Sequence, residues 1–228
     1  LKGLLELPEE YEHAEKKERW KAILERLPAL PVDKVEGRQI VKPAENYWHR
    51  SWHMPEMYPL YPYQEYGLGK DNLELMDNTF CYGISEEHRN DYRAWAQGVI
   101  HYARLGKTTE AKELTVKKLD DGPCRFPAFW PEDIDWTPDH NWGGCGMVGL
   151  QEMLMQTHDD NIRLLPAWPE EWDVDFKMHA PQQTTVKGKV RSGKIISFAR
   201  EGIRTDYTTD TKEHEVLSGK PKGKEFCI

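Results

Sequence analysis

Apolar and polar positions alternate along this chain with two different periods, and the change from one to the other divides it. In PEEYEHAEKKERWKAILERLP (residues 8–28), Tyr11, Ala14, Trp20, Ile23, Leu24 and Leu27 form a stripe at helical spacing. Pro8 stands where a helix can begin, acids fill the first turn, and LPALP stops the run. Residues 31–70 show no such period, because prolines and aromatics alternate there and exclude a long helix. A connection of that length inside a compact domain is usually functional or disordered, and its aromatic content speaks against disorder. Helical patterns return at residues 72–80 and at SEEHRNDYRAWAQGVIHYARLG, with Ser85 as N-cap and Gly106 as the C-terminal stop. KTTEAKELTVKKLDD and residues 143–158 are two more helices, separated by an aromatic and acidic loop. After about Asn161 the period becomes two: TTVKGKVRSGKIISFAREG reads as a β-hairpin turning at Ser192 and Gly193. The pattern predicts a mainly α chain with a smaller, β-rich module over residues 166–228.

Composition narrows the function classes. Only 38% of the 228 residues are hydrophobic and the mean hydropathy is -0.80, yet there are 9 Trp, 10 Tyr and 6 Phe. Disordered chains are poor in aromatics, so the balance points to polar clefts with flat apolar faces. A net charge of -8 argues against a nucleic-acid partner, which needs clustered cations. No apolar run approaches the roughly 18 residues of a membrane span. Cys81, Cys124, Cys145 and Cys227 show no close spacing of a metal or redox motif, and scattered free thiols are the plainer reading. The first residues, LKGLLELPEE, read as the interior of a protein, so the chain is expected to be the C-terminal portion of something longer.

Three stretches carry candidate chemistry. In PDHNWGG, Asp139 is either a helix N-cap or a carboxylate held ionised by a helix mouth, which suits a base. Trp142 would offer a flat face to a sugar ring, and His140 and Asn141 would bond hydroxyls or orient a water. In NYWHRSWHMPEMYPLYP, His49, His53 and Glu56 have the residue types of a metal site, but Pro55 disfavours the regular helix that such spacing requires. A wall for a polar ligand explains the mixture better, and no metal or cofactor is expected. Glycoside hydrolysis needs two carboxyl groups, and Glu132, Asp133, Asp135, Glu45 and Glu56 are candidates for the second, although most acidic loop residues are simply solvated and no spacing singles one out. No nucleophile elbow or phosphate-binding loop is present: GGCG lacks the Lys-Ser/Thr that would follow.

The order DHNWG, EMLMQTH, LLPAWP resembles a C-terminal motif of glycoside hydrolase family 95, the α-L-fucosidases and α-L-galactosidases. In that family an Asp-Gly-Asn-Phe-Gly segment opens a helix ending in Met-Leu-Leu-Gln-Ser-His, and Leu-Leu-Pro-Ala-Leu-Pro follows. HRSWHMPEMYPLYP and FKMHAPQQTTVKGKVRSGKI are weaker echoes, so the resemblance spans about residues 20–195. Here His140 replaces the family's glycine and Trp142 its phenylalanine, and the HR…H segment is stretched.

The resemblance implies the last hairpins of an (α/α)6 barrel over residues 1–165 and a β-sandwich-like module over 166–228. It implies an inverting exo-glycosidase with a carbohydrate substrate, in which Asp139 is the general base and His49, Arg50 and His53 line the sugar site. The general acid and the missing hairpins would come from the upstream part of the same protein, leaving this chain inactive alone. It also implies an extracellular or periplasmic location. Two other classes stay open on the residues themselves. One is a non-catalytic carbohydrate-binding or scaffold protein. The other is a polysaccharide lyase, for which His49, His53 and Tyr58 supply candidate bases.

Overall fold

The computed structural model describes residues 1–11, 14–42, 54–120, 140–158, 161–202 and 208–211. Seven α-helices and eight strands lie among them, with strands concentrated after α7. The described residues therefore form a mixed chain in which helices outweigh strands and most strands follow the last helix.

At the N-terminus, α1 (Lys2–Leu5) is followed by a 3-10 turn and α2 (Ala14–Glu25). A hairpin that the proline-aromatic texture concealed comes next: β1 (Val32–Val35) pairs with β2 (Arg38–Val41), register Val35↔Arg38. Glu36 and Gly37 turn it with φ of 50° and 80°, the left-handed pair that matches strand twist. Its inner end, Ile40 and Val41, is buried, and the Val41 N–H donates to Thr79 Oγ1 at 2.8 Å. Helix α3 (Leu73–Asn78) runs into a π-helical turn, Thr79–Gly83, that places Phe80 in the core.

The expected continuous helix over residues 85–106 is broken in two, as α4 (Glu86–Arg89) and α5 (Gly98–Arg104). Ser85 precedes α4 without capping it through its side chain; its hydroxyl meets His88 Nδ1 instead. Polar groups hold the break open. The Asp91 carboxylate accepts from both the N–H and the Nε of Arg93. The buried Lys118 amine takes the carbonyls of Tyr92 and Ala94, at 2.8 and 3.0 Å, that a helix would have used. Gly106, φ 74°, ends α5 as expected.

Helix α6 (Thr108–Leu119) and α7 (His140–Leu154) pack on α5 and on each other. At the α5–α7 seam a Cβ on Gly149 would lie 2.4 Å from Val99 Cγ1, so only glycine permits this approach. The helix expected over 143–158 is already formed at His140, its first described residue, and stops at Leu154. Residues Met155–His158 turn into β3, which pairs antiparallel with β4 (Asn161–Leu164) from His158↔Asn161 onward. Ladder bonds to that nearby partner replace the last helical turn. Strand β8 (Thr208–Thr211) joins β4 on its other side in parallel.

The third sheet is the expected hairpin and one strand more: β5 (Val174–Ala180), β6 (Thr184–Arg191) and β7 (Lys194–Glu201), all antiparallel. Ser192 and Gly193 form its turn with φ of 49° and 73°. Val174, Phe176, Met178, Val186, Val190 and Ile195 turn toward the common core, which also holds Met57, Leu60, Phe80, Met153 and Ile162. The cysteines differ from the plainer expectation, since Cys81 is disulfide-bonded, whereas Cys145 keeps its thiol.

Candidate functional site

The mouth of α7 is where the sequence concentrates its polar candidates. His140 is the first described residue of α7, and it and Asn141 are both exposed. Trp142 instead points inward. It is 8% exposed, its indole N–H donates to the Lys118 carbonyl at 2.7 Å, and Tyr92 stands edge-on to it at 5.9 Å. The Lys118 amine lies 5.4 Å from the ring centroid. With these contacts Trp142 locks the first turn of α7 to the end of α6 and to the 90–97 loop. Asp139, His49, Arg50 and His53 lie outside the described residues, as do Glu45, Glu132, Asp133 and Asp135. Glu56 and Tyr58 lie on and just after a 3-10 turn, both half-buried.

Below the mouth, the same face of α7 carries chemistry that sequence reading missed. Asn141, Cys145 and Glu152 are spaced by four and seven residues, so they share one side of the helix. Burial deepens along it, from exposed Asn141 through half-buried Cys145 to a Glu152 side chain 15% exposed. The Cys145 thiol donates to the Trp95 carbonyl at 3.5 Å. Glu152 is met from α5 by Arg104, whose Nη2 lies 3.0 Å from both carboxylate oxygens. Arg104 is 6% exposed at its side chain and sits 5.8 Å from the Tyr61 ring centroid.

Electrostatics follow from that burial. Desolvation raises the Glu152 pKa above the usual carboxylate range, while the charge and hydrogen bond of Arg104 pull it back. The Tyr61 phenol is raised by desolvation first, then by Glu152 and Cys145, with Arg104 opposing. Tyr61 is therefore a protonated donor at neutral pH. Gln156 extends the network, its amide donating to the carbonyls of Ala103 and Glu152, both at 2.9 Å. Gln64 completes it in the amide orientation that satisfies both ends, accepting from Arg104 Nη2 and donating to the Thr157 carbonyl at 3.0 Å each. The available signals were the single arginine in VIHYARLG and the spacing of Asn141, Cys145 and Glu152.

Among the described residues no group of three or more His, Cys, Asp or Glu side chains is gathered to hold a metal ion, and no helix is long and apolar enough to cross a membrane. No family model matches the sequence, and no curated protein matches it.

Proposed function

We infer that this chain is the C-terminal portion of an inverting exo-glycosidase, removing a terminal sugar of the α-L-fucoside or α-L-galactoside type with Asp139 as general base. The observation that carries the reading is the start of α7. The described part of α7 starts at His140, the residue after Asp139, and both His140 and Asn141 are exposed there. A carboxylate directly before a helix N-terminus is favoured in its charged form, which is what a base must retain. Such a base takes a proton from water as the water attacks the anomeric carbon, opposite the leaving group. The matching general acid would stand about 6.5–9.5 Å away, leaving room for that water.

Other features support the same reading. The mutual packing of α5, α6 and α7 suits the last hairpins of an (α/α)6 barrel, with residues 166–228 as the β module. Buried Trp142 fits a supporting role, holding the mouth from behind while His140 and Asn141 face outward. His49, Arg50 and His53 would contact the sugar, and the upstream part of the protein would supply the acid and the remaining hairpins. The Cys81 disulfide favours an oxidising compartment, in keeping with an extracellular or periplasmic location.

The test is turnover of aryl α-L-fucoside and α-L-galactoside by the natural protein that contains this chain, with Asp139→Asn alongside. A loss of about 10²-fold or more, with the product released in the inverted anomeric form by NMR, is expected. Wild-type rates in the variant, or an unsaturated product absorbing in the ultraviolet, refute the reading.

A further inference from the structure

We propose that the cleft between the 58–72 loop and the strand following α7 is a second carbohydrate site, taking a neutral oligosaccharide. The cleft has a volume of about 850 Å³. That lies within the range of small-ligand sites. Tyr63, Gln64, Asp71, Asn72, Thr157 and His158 line it.

The wall combines a fixed flat ring with hydrogen-bonding groups. Tyr63 is 70% exposed, yet its ring stands edge-on to Tyr58 at 6.2 Å and its N–H donates to the Tyr58 carbonyl at 3.1 Å. An exposed aromatic held in place meets the C–H face of a sugar with little ordering cost. Asp71 and Asn72 are exposed beside it, and the Asn72 side chain makes no capping bond to α3. The floor is rigid, because Gln64 is tied to Thr157 and Arg104.

Charge selects among polar ligands. Lys2 and Lys70 are balanced by Glu65 and Asp71 on the same lining. Lys2 is paired to Glu65 at 2.6 Å, and the Lys70 amine donates to the Gln64 carbonyl. The lysines and acids of the lining thus cancel in number, with the Arg163 guanidinium standing beside them against Gly69. The choice of a sugar among neutral polar ligands rests on the glycosidase reading.

Position separates this cleft from the helix mouth. Thr157 and His158 follow the C-terminal end of α7, whereas His140 begins it, and 15 residues of helix span about 22 Å. A single terminal sugar cannot touch both ends, so the cleft holds a more distant stretch of glycan.

The test is binding of the natural protein to an array of neutral and uronate-containing oligosaccharides, followed by calorimetric titration of the glycan bound. Tyr63→Ala and Asp71→Ala, both at exposed positions, should each weaken binding about tenfold or more while turnover of an aryl monoglycoside stays at the wild-type rate. Binding without turnover would sink the glycosidase reading and leave the cleft standing. The proposal is overturned if no neutral glycan binds, if only acidic ones do, or if Asn141→Ala abolishes binding that Tyr63→Ala leaves intact.

Discussion

Replacing His101 by phenylalanine should remove a large part of the chain's sensitivity to acid. His101 sits on α5 with no solvent exposure, and neither ring nitrogen has a hydrogen-bond partner among the described residues. The Phe80 ring stands against it at 5.5 Å and 69°. Burial first, and the charge of Arg104 second, lower its pKa from 6.5 to about 3. The folded-state value is thus depressed below the unfolded one, so the unfolded chain binds the proton first as pH falls. Stability from the neutral ring is complete above about pH 6.5 and drains away as pH falls toward about 3. The full window corresponds to about 5 kcal/mol, and the part between pH 7.5 and 4.5 to about 2.7 kcal/mol. That is a large share of the 5–15 kcal/mol that holds a typical domain folded. Urea unfolding of wild type and His101→Phe across this range isolates the effect, because the carboxylates common to both cancel. The gap between the two should widen by about 2.7 kcal/mol in the variant's favour as pH drops. Parallel pH profiles, within about 0.5 kcal/mol, would refute the claim that this ring is held neutral by burial.

Two further substitutions probe the helices behind the mouth by the same assay. Glu152→Leu leaves the Arg104 guanidinium, 6% exposed, without its counter-charge and should cost about 3–5 kcal/mol. The double variant with Arg104→Met should recover most of that, and a single-variant cost below about 1 kcal/mol would mean that the pair is well solvated. Gly149→Ala puts a Cβ 2.4 Å from Val99 Cγ1 and should destabilise by about 1 kcal/mol net, overpacking exceeding the helix-propensity gain. Combined with Val99→Ala it should couple by about 1 kcal/mol or more, whereas simple additivity would contradict the close seam.

Long elements with consistent local chemistry were legible in the sequence. The α6 pattern, the middle of α2, the Ser-Gly turn between β6 and β7 and the stop at Gly106 all follow from spacing, turn residues and backbone freedom, whereas Tyr11 and Leu27 of the expected first stripe lie outside α2 and are exposed. The failures share a cause, which is a distant partner outbidding local preference. Residues 90–97 look helical until Lys118 arrives from α6 and claims their carbonyls. EMLMQTH reads as the end of a helix until β4 offers ladder bonds to its last four residues. The Glu36-Gly37 turn lacks the usual asparagine or aspartate, so its hairpin passed as loop. At the candidate site, residue types singled out His140, Asn141 and Trp142, of which the first two are exposed. They did not reveal that Trp142 turns inward, because an aromatic beside glycines serves a ligand face and a packing face equally well.

The parallel bond ladder between β4 and β8 makes the two ends of the C-terminal half mutually dependent. Asn161 pairs with Thr208 and Leu164 with Thr211, so a strand some forty-seven positions downstream closes the flank of the hairpin that ends α7. A cut at the 165/166 boundary would strip that flank and leave β4 with an open edge, a template for pairing with another chain. The hairpin so exposed carries Gln156 and Thr157, which bind the Ala103 carbonyl and the Gln64 amide. Severing the tail would therefore reach the interior of the helical layer through a single short sheet, which makes the two halves poor candidates for independent evolution or for recombination as cassettes.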